Sequence, residues 1–237
     1  MMMLAFAAQR ARADHFSGAD ITYECMGGNQ YRITLDLFLD CAGAPLTPQT
    51  LYFTNNCGVS FSLPNVPLVQ TEEVSQLCGS QLLNSTCNGG TEPGVMHYQF
   101  EVVLNLSPCN SWNISWYICC RSATQNVLAT PGMYVHATLN NLGGLCDQSP
   151  QFGDMTIPYV CVNEPVSYNP QVTDADGNTL VYSLISAQFG APVPTNVTYQ
   201  PGFTAAQPIP GIVLDPVTGQ ITFTPTVSGQ SVVSLQL

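Results

Sequence analysis

Two groups of residues in this sequence have types and spacings that can do chemistry. The first is ten cysteines: Cys25, Cys41, Cys57, Cys78, Cys87, Cys109, Cys119, Cys120, Cys146 and Cys161. Thiolates can hold structural zinc, but that chemistry uses short C-x-x-C pairs converging on one ion, and no C-x-x-C occurs here. An even set in a chain without a single lysine reads instead as a disulfide framework made in an oxidising compartment, its pairing left open by sequence alone. The second group is Asp174-x-Asp176-Gly177-Asn178. Carboxylates two apart around a turn can aim several oxygens at calcium, and Glu164, with Asn163, could add more. Asp176-Gly177 is equally a plain tight turn between strands.

Catalysis finds no such constellation. His15 lies in the N-terminal tail and His97 and His136 fall beside or on polar strand faces, where solvated surface is the expectation. There is no Gly-x-Ser-x-Gly, and the lack of lysine removes a P-loop or Schiff base. The expectation is a protein that is not an enzyme. Charge narrows the partners. The net charge is −11, and if the apolar Met1–Ala8 run ending in Ala11-Arg12-Ala13 is a signal-peptide remnant, only Arg32 and Arg121 remain against fifteen acidic residues, giving −13. Nucleic acid and acidic membrane surfaces are thereby disfavoured, which leaves protein, glycan or calcium partners. No later stretch is long and apolar enough for a spanning helix.

The elements that must position these groups read as strands. Ile33, Leu35, Leu37 and Leu39 alternate with polar residues, with Phe38 as the exception. So do Tyr98 to Leu106, the run Trp112, Ile114, Trp116 and Ile118, and the run Met133, Val135, Ala137 and Leu139. Trp112 and Trp116 share their face with isoleucines and so read as core, not as a sugar-stacking platform. Residues 26–30 read as a hairpin loop. Cys25 then sits at the turn, and a Cys25–Cys41 bond is disfavoured because Cys41 lies some ten residues along the return strand. Cys119 and Cys120 point to opposite faces if the strand continues, which favours different partners over a vicinal bond, with Cys120 facing the core. Arg121 reads as an ion-pair former or a cap on backbone carbonyls, and otherwise as a clamp for a partner's carboxylate. The composition suggests residues 1–13 as the signal remnant, 14–160 as a cysteine-rich β domain, and 161–237 as a second β-sandwich that is incomplete at Leu237.

Several strings carry a resemblance. Gly18-Ala-Asp-Ile-Thr-Tyr-Glu-Cys25-Met-Gly-Gly-Asn-Gln-Tyr-Arg-Ile-Thr-Leu35, then Asp40-Cys41, Cys119-Cys120-Arg121 and Pro158-Tyr-Val-Cys161-Val-Asn-Glu-Pro165 resemble the opening region of large Bacteroidota cell-surface proteins, those called gliding-motility-associated or PKD-domain proteins. The string Leu214-Asp-Pro-Val-Thr-Gly-Gln-Ile-Thr-Phe-Thr-Pro225 is similar to their Ig-like or cadherin-like repeats. The resemblance implies a secreted or surface-anchored, adhesin-like protein exported by the type IX route, with no catalytic residues. Asn178 stands where that pattern often has Asp, which weakens the calcium reading.

The expectation is therefore an all-β, disulfide-rich sandwich-like domain followed by an Ig-like or cadherin-like β-sandwich, serving as a non-enzymatic extracellular structural or adhesive segment with a protein or glycan partner. The alternative is an accessory or carbohydrate-binding region of a secreted hydrolase. A carbohydrate-binding role calls for exposed aromatic side chains in a row; an adhesive stalk calls for more repeats.

Overall fold

The period-two segments form strands in the computed structural model, which describes residues 16–43, 45–119, 121–129, 131–153 and 158–237. The proposed signal remnant, His15 and Cys120 lie outside the described residues. Strands β1 (Phe16–Gly27) and β2 (Gln30–Asp40) make an antiparallel hairpin whose turn residues, Gly28 and Asn29, both have positive φ, 60° and 63°. Two left-handed residues in a row define the type I′ turn, whose twist suits a hairpin, and Gly and Asn tolerate it best. Four strands, the hairpin with β6 (Val95–Asn105) and β5 (Leu68–Glu73), form one sheet in the order β1-β2-β6-β5.

The facing sheet is built from β3 (Thr50–Asn55), β4 (Ser60–Pro64), β7 (Trp112–Ile118), β8 (Met133–Leu139), β11 (Gln188–Phe189) and β12 (Thr195–Asn196), in the order β12-β11-β8-β7-β3-β4. Alternation sends Ile33, Leu35 and Leu37 from one sheet and Leu51, Phe53, Trp112, Ile114 and Trp116 from the other into a common core. Both tryptophans are buried, as their spacing predicts, and Phe16 meets Trp116 edge-to-face across the sandwich at 5.4 Å. The indole N–H of Trp116 donates to the buried Gln49 side chain at 2.7 Å, so the largest core residue brings no unpaired donor with it.

Disulfides fasten the ends of these strands. Cys25 bonds Cys146, Cys41 bonds Cys87 and Cys57 bonds Cys109, and Cys119 is disulfide-bonded too. The expected absence of a Cys25–Cys41 bond holds, for the geometric reason anticipated. The Cys41–Cys87 bond demands a close approach, because a Cβ on Gly94 would meet the Cys87 sulfur at 2.6 Å. Cys78 and Cys161 are exposed thiols, where the full framework of ten bonded cysteines was expected.

The latter part of the chain carries short strands: β9 (Val166–Tyr168), β13 (Val213–Leu214) and β14 (Ile221–Phe223) in one sheet, and β10 (Ser183–Leu184) with β15 (Leu235–Gln236) in another. It is also hydrogen-bonded to the first part. β11 pairs with β8 through Gln188 and Tyr134, and Val127 bridges to Tyr199. Val127, Ala187 and Val197 share a small core. Asn126, fully buried, donates to the carbonyls of Pro208 and Val232 and accepts from the Val232 N–H. The division expected at 160/161 therefore does not separate two sheets, since strand segments after it complete the six-stranded one.

The second face of the four-stranded sheet is polar yet largely covered. Thr22, Asp36 and Phe38 are buried there. His97 stacks on Phe38 at 4.8 Å and its Nε2 lies 2.7 Å from Asp36 Oδ1, with only 12% of its side chain exposed. Its expected solvation is thus corrected: Phe38, the exception in the alternation, supplies an apolar ring on this face for its neighbour to cover. Asp20, paired across the strands with Asp36, has a buried Oδ2 without a partner. Burial first, and then the charge of Asp36, push its carboxyl up to about 7, against a hydrogen bond from the Ile21 N–H that lowers it.

Because this folded-state value lies above that of an unfolded aspartate, Asp20 favours folding at low pH, and that contribution is lost as pH rises through about 7. Asp20→Asn should flatten the fall in stability between pH 5 and pH 8, measured by urea denaturation. The wild type should lose on the order of a few kcal/mol over that range relative to the variant.

Candidate functional site

The pleat that buries the tryptophans decides what the other side of the six-stranded sheet presents. With Leu51 and Phe53 inside, β3 turns Tyr52 and Thr54 outward. With Trp112, Ile114 and Trp116 inside, β7 turns Asn113, Ser115 and Tyr117 to the other face, Ser115 remaining buried there at 6% exposure. With Met133, Val135, Ala137 and Leu139 packed on the core, β8 turns out Tyr134, His136 and Thr138. Register then groups them: Tyr52 is opposite Ser115, Ser115 is opposite His136, and Tyr117 is opposite Tyr134.

The result is an aromatic and polar surface without a carboxylate or guanidinium among those outward residues. Tyr52 and Tyr117, both half-buried, stack at 4.7 Å with 30° between their rings. Interaction with the neighbouring Tyr117 hydroxyl, then burial, raises the Tyr52 hydroxyl to about 12, so it keeps its proton. Tyr134 is buried against the sheet, receives a hydrogen bond from the Asn113 amide at 3.1 Å, and lies 5.5 Å from the exposed His136 ring. Partial desolvation by the neighbouring side chains lowers the His136 pKa, which favours the uncharged imidazole. Such a surface offers apolar ring area together with uncharged donors and acceptors.

Arg121 flanks the same sheet and does what its backbone-capping reading expected. It is 3% exposed, its Nε donates to the Gly132 carbonyl at 3.0 Å and its Nη2 to the Gln188 carbonyl at 3.1 Å, joining the residues before β8 to β11. Burial lowers its pKa from a very high starting value. A guanidinium spent on internal carbonyls is not presented to a partner's carboxylate.

The Asp174 to Asn178 run forms the turn that its Asp-Gly pair predicts. Asp174 Oδ1 accepts the N–H groups of Asp176 and Asn178 at 3.0 and 2.9 Å, and Gly177 takes a positive φ of 76°. Asp176 accepts the N–H of Gln148 at 2.7 Å. Asp147, which sequence reasoning did not single out, joins Asp176, Asn178 and Asn140 around an open cleft beside Cys146. Burial, and then the charges of Asp176 and Asp174 after an opposing Tyr23 hydrogen bond, raise its pKa. Glu164 sits in the turn after Cys161, its N–H on the Cys161 carbonyl. Among the described residues, no three His, Cys, Asp or Glu side chains are grouped to hold a metal ion. Asp174 Oδ1 and Asp176 Oδ2 already accept backbone N–H groups.

The sequence signal for the tyrosine face was the alternation itself. Tyr117 was legible as the outward partner of the tryptophan face, but Tyr52 and Tyr134 acquire meaning only when the strand order β8-β7-β3 places them beside it. No protein-family model, curated protein or solved structure matches this chain.

The calcium reading has a direct measurement. With Asp174 and Asp176 committed to backbone donors, the melting temperature of the full chain should be the same in EDTA and in millimolar calcium; a rise of several degrees in calcium would show a bound ion.

Proposed function

We propose that this chain is a non-enzymatic extracellular binding module that holds a neutral carbohydrate on the outer face of its six-stranded sheet, within an adhesin-like protein. The observation that carries the reading is the stacked Tyr52 and Tyr117 pair, set among Asn113, Ser115, Tyr134 and His136 on one face. Pyranose rings present apolar C–H faces edged by hydroxyls, and a surface of aromatic rings beside amides and hydroxyls matches both parts. The lack of charge among these side chains favours a neutral sugar over a phosphate, a sulfated polymer or a peptide carboxylate.

The disulfides support folding in an oxidising compartment, and no helix of the described residues is long and apolar enough to cross a membrane. The resemblance to Bacteroidota surface proteins agrees with export, by the type IX route in that group, and with display on a β scaffold. The hydrolase-accessory reading uses the same face; it differs in what the module is attached to, and the aromatic cluster is the feature such a module requires.

Affinity electrophoresis and calorimetry against neutral plant, fungal and bacterial polysaccharides test the proposal. The wild type should bind at least one of them. Tyr52→Ala and Tyr117→Ala should each weaken that binding about tenfold, the loss of roughly 1.4 kcal/mol, while the protein stays folded. Binding unaffected by both substitutions, or absent across the panel, would exclude this face.

A further inference from the structure

Cys78 and Cys161 are exposed thiols in a protein whose other described cysteines are bonded. They stand 83 residues apart in sequence, yet the fold brings their surroundings together. The Tyr159 N–H donates to Gln76 Oε1 at 2.8 Å, and each partner of that bond lies two residues before one of the cysteines. Burial, and then the charge of Asp40, raise the Tyr159 hydroxyl pKa.

We infer that Cys78 and Cys161 are the two halves of a further disulfide, one that staples the loop before residue 80 to the segment leading into β9. Residues 74–78 and 158–161 have no regular secondary structure, so neither cysteine is held away by a strand ladder. Each cysteine is only two residues from the Gln76 and Tyr159 hydrogen bond, a reach of at most about 7 Å along the chain. With neither loop tied into a ladder, local changes of backbone torsions can bring the two Cα atoms within the about 7 Å that a disulfide spans. Exposure leaves both sulfurs open to the reagent.

The oxidant is a disulfide, either of a small thiol or of a thiol oxidoreductase. The thiolate of one cysteine attacks it, releasing one thiol and forming a mixed disulfide; the second cysteine displaces the other thiol and closes the bond. The protein loses two protons and two electrons, and the donor disulfide is reduced to two thiols. This inference is independent of the carbohydrate proposal.

The test is the full chain exported to an oxidising compartment, alkylated without reduction, digested with pepsin and mapped by mass spectrometry. The expected result is a peptide pair joined through Cys78 and Cys161, with neither residue alkylated. In Cys161→Ser that pair should vanish and Cys78 should carry the alkyl group, with Cys25–Cys146 and Cys57–Cys109 still closed. Alkylation of both cysteines in wild-type protein whose other bonds are closed would overturn the inference. So would a bond from Cys78 to another cysteine, or a covalent dimer through either residue on a non-reducing gel.

Discussion

Everything distinctive about this molecule depends on the phase of one pleat. In β3, β7 and β8 the side chains alternate between a dry core and the outside, and a shift of one residue would exchange the two sets. The core set contains Trp112, Trp116, Phe53, Ile114 and Leu139, all essentially unexposed. Burying them is worth on the order of 1.5–3 kcal/mol for each large side chain, far more than any surface contact could offset. The outward set is then imposed, and it includes Tyr52, Asn113, Ser115, Tyr117, Tyr134 and His136. The candidate binding face is thus the reverse of the core, made by the same strands and positioned with the same rigidity.

The pleat alone does not close the structure. Loops between the strands are long, and the latter strands have two or three residues each, too few for a ladder to hold them. Covalent bonds and buried side-chain caps substitute. The disulfides pin the hairpin turn of β1 and β2, the end of β2 and the β3–β4 connection, while Asn126, Asn141 and Arg121 satisfy backbone groups that no strand pairs. Arg121 and Asn126 matter most for the function proposed, since they lock the chain beside β8 to segments from beyond residue 180 and so complete the edge of the binding sheet.

The legible part of this architecture was local. Period two in Tyr31 to Leu39 and Trp112 to Ile118 located strands and the inward tryptophans, and the Gly-Gly-Asn-Gln sequence located the hairpin. Asp176-Gly177 announced its turn. What sequence could not supply was long-range register. Nothing in Tyr52 signals that it will lie beside Tyr117, or in Gln188 that it will extend the sheet next to Tyr134. His97 was misread because its environment is made by Phe38 from a neighbouring strand. Cysteine pairing stayed open for the same reason: spacing disfavoured Cys25–Cys41, but only the fold brings Cys25 to Cys146.

The most direct test of the pleat uses the protein's own fluorescence. Its only two tryptophans, Trp112 and Trp116, are 1% exposed each, while the tyrosines of the proposed face lie on the reverse of the same strands. Tryptophan emission from the oxidised folded protein should be blue-shifted, nearly immune to acrylamide, and should shift red in guanidinium. Emission already red and freely quenched in the native state would put the tryptophans outside, invert the sheet, and contradict the binding face built here.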